Sequence, residues 1–145
     1  FHLNGDTLQA IHVPHAHTDG DSFIYFKTAN VIHAGDLFFN GFYPFIDVNH
    51  GGSLKGMIKG VDRLLLLADG KTIIIPGHGP LANKAQLANY RQMLKIAYER
   101  LRKLKAEGKS AREAMAAKPL ADLEATWGDG LFTGDRWIEI IYPGV

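Results

Sequence analysis

The chain has 145 residues, 46% of them apolar, which is enough for one globular domain over residues 1–145 with a real core and requires no second domain. Sixteen basic against fifteen acidic residues give no field that argues for nucleic acid or an anionic membrane surface, so the implied partner is a small-molecule substrate. There is no cysteine, which excludes disulfides and thiolate zinc sites, and no apolar run nears the roughly 18 residues of a membrane span.

Phe1-His2-Leu3 opens the chain without an initiator Met or a signal peptide, which suggests a fragment or processed product and leaves the compartment, cytoplasmic or periplasmic, open. Asn4-Gly5 predicts a tight hairpin, because a type I′ turn needs positive φ at both central residues. The second strand runs to Val13 and stops at Pro14, which cannot donate to a ladder and delivers His15 to Asp21 into a loop. Ser22–Lys27 and Val31–Ala34 form a second hairpin through Thr28-Ala29-Asn30.

Leu37 to Ile46 carries five aromatics without clean periodicity and reads as an ordered loop. Phe42 and Tyr43 are candidates for a substrate wall there, against the plainer reading that these rings plug the sheet edge. Ser53 caps a helix whose apolar residues, Leu54, Met57, Ile58, Val61, Leu64 and Leu65, share one face to about Ala68. Thr72–Ile75 reads as a strand covered on both faces.

Asn83 caps a long helix stopped at Gly108, and Ser110 to Glu113 has capping-box spacing for a short one ended before Pro119. Thr133–Tyr142 fits a helix or a strand, with helix preferred. The expected class is α/β.

Three polar ligand types stand just past short β runs: His17 within His15-Ala16-His17-Thr18-Asp19-Gly20-Asp21, Asp36 after Val31-Ile32, and His78 within Pro76-Gly77-His78-Gly79-Pro80. In this order they resemble the later motifs of the metallo-β-lactamase superfamily: a His-Thr-x-Gly-Asp/Ser loop, an Asp after a strand and a Gly-His-Gly loop. The superfamily's first motif, His-x-His-x-Asp-His, would lie upstream of residue 1. His15, His17 and Asp19 imitate it, but Gly20 stands where its last His belongs and a strand follows where a helix should.

The resemblance implies half of an αββα sandwich, a mixed sheet with helices on its outer face, in a metal-dependent hydrolase. His17 would bind one metal, His78 a second, and Asp36 would bridge them and serve as the catalytic carboxylate. Imidazoles and carboxylates suit Zn²⁺, two ions in a full-length domain, with Fe or Mn also compatible. A metal-bound hydroxide would attack an ester, thioester or lactam carbonyl, and phosphoester remains possible.

His2, His12, His33 and His50 are not expected to be ligands, and Asp21 is expected to cap turn amides. Without the first motif this chain is expected to hold metal weakly or not at all and to be inactive. The competing class is a non-catalytic scaffold or binding domain with an incomplete site. A sheet face bearing Leu8, Phe23, Tyr25 and Ile32 would lack its cover, so a homodimer supplying the missing half is expected.

Overall fold

A computed structural model describes residues 1–145. Five strands lie in sequence order across a mixed sheet: β1 (His2–Leu3), β2 (Asp6–Val13), β3 (Asp21–Phe26), β4 (Val31–Phe39) and β5 (Ile73–His78). The first four pair antiparallel and β4–β5 pair parallel, joined by the crossover helix α1 (Leu54–Leu67). After β5 come α2 (Lys84–Ala106), α3 (Ala111–Ala116), α4 (Glu124–Trp127) and α5 (Gly134–Ile141).

Local chemistry sets the first turn and the helix starts where the sequence placed them, whereas β4 and β5 both run past their expected ends. Asn4 and Gly5 take φ of 50° and 82° in the first hairpin. The Ser53 side chain accepts from Gly56 N–H, and Asn83 and Ser110 each form a reciprocal capping box. Thr133 caps α5, which settles Thr133–Tyr142 as helical over most of its length.

The strand β4 continues to Phe39, so the expected loop over Leu37–Ile46 begins only after it. Leu37, Phe38 and Phe39 are all buried, because β4 is enclosed at this end by helices, with the Tyr90 ring of α2 5.0 Å from that of Phe38. A register shift beside Gly35 breaks the alternation of β4, as bulges near sites commonly do.

Both α1 and α2 pack on β4, on the face that carries Phe23, Ile32, Ala34 and Ile74. The cross-strand partners Ile11–Phe23 and Tyr25–Ile32 share that covered face. The opposite face presents Leu8, Ala10, Ile24, Phe26, Val31, Ile73 and Ile75, none of them buried. The open face is therefore the reverse of the one expected: of the four residues named for it, only Leu8 belongs there. Side chains alternate with period two, so a parity error moves a whole set across the sheet. For the same reason β5 is covered on one side only, with Ile74 buried and Ile73 49% exposed.

Candidate metal centre

The loop after β2 carries His17, the far half of β4 carries Asp36, and the end of β5 carries His78. Parallel pairing of β4 and β5 sets His78 opposite Phe39, past the bulge, and turns both elements' polar groups to the same sheet edge. Asp36 lies between the two imidazoles: its Oδ2 is 3.9 Å from His17 Nε2 and its Oδ1 is 3.3 Å from His78 Nε2.

The glycines around His78 serve this approach. A β-carbon on Gly77 would stand 2.2 Å from Asp36 Oδ1, and one on Gly79, whose φ is +93°, would stand 2.4 Å from the Asn40 carbonyl oxygen. Only glycine lets the β5 end close against β4.

Asp21 does more than cap the turn. Its Oδ2 accepts from Thr18 N–H at 2.7 Å, and its Oδ1 lies 3.2 Å from His17 Nδ1. With that carboxylate accepting from Nδ1–H, the Nε2 lone pair is left facing Asp36, the arrangement by which a carboxylate fixes a ligand imidazole's tautomer. The hydrogen bond that His17 donates to Asp21 also raises the His17 pKa above its ordinary 6.5, against the opposing effect of burial. The spacing of His17 and Asp21 was visible in the sequence, but their contact depends on the turn between them.

Aromatic rings hold both imidazoles. Phe39, buried, stacks on His78 with centroids 4.6 Å apart and lies 6.4 Å from His17. Phe45, partly exposed, sets its edge to His17 at 5.7 Å and neighbours Phe132. The expected wall of Phe42 and Tyr43 takes a different form. Tyr43 has no exposed surface: it is stacked on Trp137 at 4.5 Å inside the core and can touch no substrate. Phe42 is half-buried with its ring edge-on to Phe39. The ring exposed beside His17 is Phe45, which was not among the residues expected to form the wall.

The other histidines lie outside the trio. His15, with φ of 55°, reaches the Gly51 carbonyl and the Asp19 carboxylate; His12 Nε2 meets the Asp19 carbonyl; His33 Nδ1 accepts from Gly35 N–H; His50 pairs with Asp47 and His2 with Thr7.

No three His, Asp or Glu side chains converge closely enough to cage an ion by themselves. The trio is an open row with Asp36 in the middle. An ion about 2.1 Å from each of two donors keeps those donors roughly 3 to 3.5 Å apart. The His78–Asp36 separation meets that range, and the His17–Asp36 separation needs a shift of a few tenths of an ångström. The donor set therefore fits one ion on each side of Asp36, with further ligands required for each. A cavity of about 390 Å³ lined by Lys118, Glu124 and Asp135 involves none of the trio, and its charges are already satisfied: Lys118 pairs with Asp135, and Glu124 accepts from Gly134 N–H.

The chain belongs to the metallo-beta-lactamase superfamily, whose sequence model matches residues 1–78 and so spans His17, Asp36 and His78. Among solved structures it is similar to the B3 metallo-beta-lactamase BLEG-1, at 25% identity and a TM-score of 0.55 over 65% of this chain and 44% of that one. A metallo-beta-lactamase from Pontibacter korlensis matches at 18% identity and a TM-score of 0.53, covering 66% of this chain and 44% of that one. The inverting sec-alkylsulfatase Pisa1 from Pseudomonas sp. matches at 19% identity and a TM-score of 0.63 over 80% of this chain and 20% of its own. No curated protein matches. The chain thus spans less than half the length of these lactamases. Its fold is that of half a metallo-β-lactamase sandwich, a mixed five-stranded sheet with helices.

Proposed function

We propose that His17, Asp36 and His78 form the later half of a dinuclear metal centre in a hydrolase acting on an ester, thioester or lactam. The observation that carries this reading is Asp36 set between two imidazoles, one carboxylate oxygen facing each Nε2. Zn²⁺ suits these donors, and Fe or Mn is compatible with the carboxylate. Bound ions would supply Lewis-acid activation of water and of the scissile carbonyl.

The chain's own residues do the rest. Asp21 orients His17, Phe39 fixes the plane of His78, and Gly77 admits Asp36 between them. Phe45 sets its ring edge against His17, with Phe132 beside it. Three side chains leave a two-ion site short of donors, so residues 1–145 alone should bind metal weakly and turn over slowly or not at all. A second reading, a non-catalytic domain that keeps the fold, is favoured by the lack of any closed three-donor group.

Manganese separates the two readings, because its paramagnetic broadening registers weak binding. Added Mn²⁺ should broaden the ring signals of His17 and His78 first, and Asp36→Asn should abolish this selectivity. Broadening elsewhere, or none at millimolar manganese, would overturn the metal reading. Any slow hydrolysis of chromogenic esters, thioesters or lactams should in turn be metal-dependent and lost in Asp36→Asn, and turnover retained in that variant would overturn the catalytic reading.

A further inference from the structure

The helices α1 and α2 run antiparallel, since Asp62 meets Arg91 and the Ala68 carbonyl meets Lys84, and they leave a groove of about 380 Å³ between them. It is lined by Lys55 and Lys59 of α1 and by Lys95, Tyr98, Glu99 and Arg102 of α2. Its volume lies within the range of small-molecule sites. Four cations and one carboxylate give the lining a net positive charge.

Those cations are unpaired. Arg91 with Asp62, Arg100 with Asp122, Lys118 with Asp135 and Arg136 with Glu139 form ion pairs, whereas none of the four groove cations does. Along this seam Asp62 is the only acid α1 offers, and Arg91 occupies it. Glu99 stands four residues from Lys95 and three from Arg102 without pairing with either.

Helix stability opposes this placement. Lys55 occupies the first turn of a 14-residue helix that has no acid there, at the positive end of its dipole. Lys55 and Lys59, four residues apart, repel each other on one face. A bound anion relieves both.

We propose that this groove binds a compact polyanion bearing two or more linked phosphates. Lys95 and Arg102 stand about 10 Å apart along α2, so with the two lysines of α1 they surround the groove, as a chain of phosphates requires, and a single carboxylate would leave most of them unmatched. The half-buried Tyr98 ring offers a surface for a base if the phosphates belong to a nucleotide. The inference is independent of the metal centre.

Amide NMR titrations of residues 1–145 with pyrophosphate, ATP and an oligoglutamate peptide, at constant ionic strength and without magnesium, test it. Saturable shifts should centre on Lys55–Lys59 and Lys95–Arg102, weaken at least tenfold in the Lys55→Ala/Lys59→Ala variant, and tighten in Glu99→Gln. Equal affinity for pyrophosphate and ATP would assign the phosphate chain alone, and tenfold tighter ATP binding would assign a nucleotide. Shifts that merely follow chloride, that centre on His17 and His78, or that survive the double substitution would overturn the proposal, as would tighter binding of the peptide than of either phosphate compound.

Discussion

Gly77 and Asp36 touch across the β4–β5 strand pair so closely that a β-carbon on Gly77 would lie 2.2 Å from Asp36 Oδ1. Gly77→Ala must therefore move either the carboxylate or the β5 end. The expected cost is about 1 to 3 kcal/mol by denaturant unfolding, the usual range for overpacking. Manganese affinity at His17 and His78 should fall at least tenfold, the lower range for disturbing a ligand's support. A variant that matches the parent in both measurements would show that the contact positions nothing.

The His17–Asp21 pair makes a pH-dependent contribution whose sign follows from the raised imidazole pKa. A folded pKa above the unfolded 6.5 means the stabilisation is fully present below pH 6.5 and is lost as pH rises through the folded value. Asp21→Asn should return the His17 titration toward 6.5 by NMR and cost about 1.5 to 3 kcal/mol below pH 6.5, with a smaller cost at higher pH. An unchanged His17 titration in that variant would show that the contact at His17 Nδ1 carries no charge coupling.

Proton and metal compete for His17. The raised pKa predicts that manganese broadening of its ring weakens as pH falls through that pKa, and that in Asp21→Asn this weakening begins at lower pH. A broadening profile indifferent to pH between 5 and 8 would argue against His17 Nε2 as a donor.

Tyr43 belongs to the core. Its hydroxyl is buried without a partner, and burial raises its pKa well above the ordinary tyrosine value. Tyr43→Phe should be neutral or slightly stabilising, and Tyr43→Ala should cost about 3 to 5 kcal/mol, as for other large buried aromatic side chains. Marked destabilisation by the phenylalanine variant would reveal a hydrogen bond that the ring's surroundings do not show.

The open sheet face, with Leu8, Ile24, Phe26, Val31, Ile73 and Ile75 side by side, should drive residues 1–145 to self-associate. A large side chain left in water forfeits about 1.5 to 3 kcal/mol, and two copies burying this face against each other recover part of that. Light scattering at micromolar concentration should report a dimer, and Phe26→Lys with Ile73→Lys should return it to monomer. A stable monomer of the parent chain would end this prediction.

Sequence alone determined the elements that depend on local chemistry. The Asn4-Gly5 turn, the caps at Ser53, Asn83 and Ser110, and the loop that presents His17 all rest on residues within a few positions of one another, whereas His78, expected just past a strand ending at Ile75, is the last residue of β5. Tertiary structure decided what depends on contacts between distant segments: which face of the sheet the helices cover, why β4 runs on to Phe39, and why Tyr43 is sealed under Trp137 while Phe45 meets His17. The parity of a strand fixes which residues share a face, but the choice of face that meets the helices is made by packing. The same holds for Asp36: the sequence set it just past a strand end, whereas it lies within β4, and its place between His17 and His78 arises from the parallel pairing of β4 with β5 across the α1 crossover, a long-range contact with no local signature.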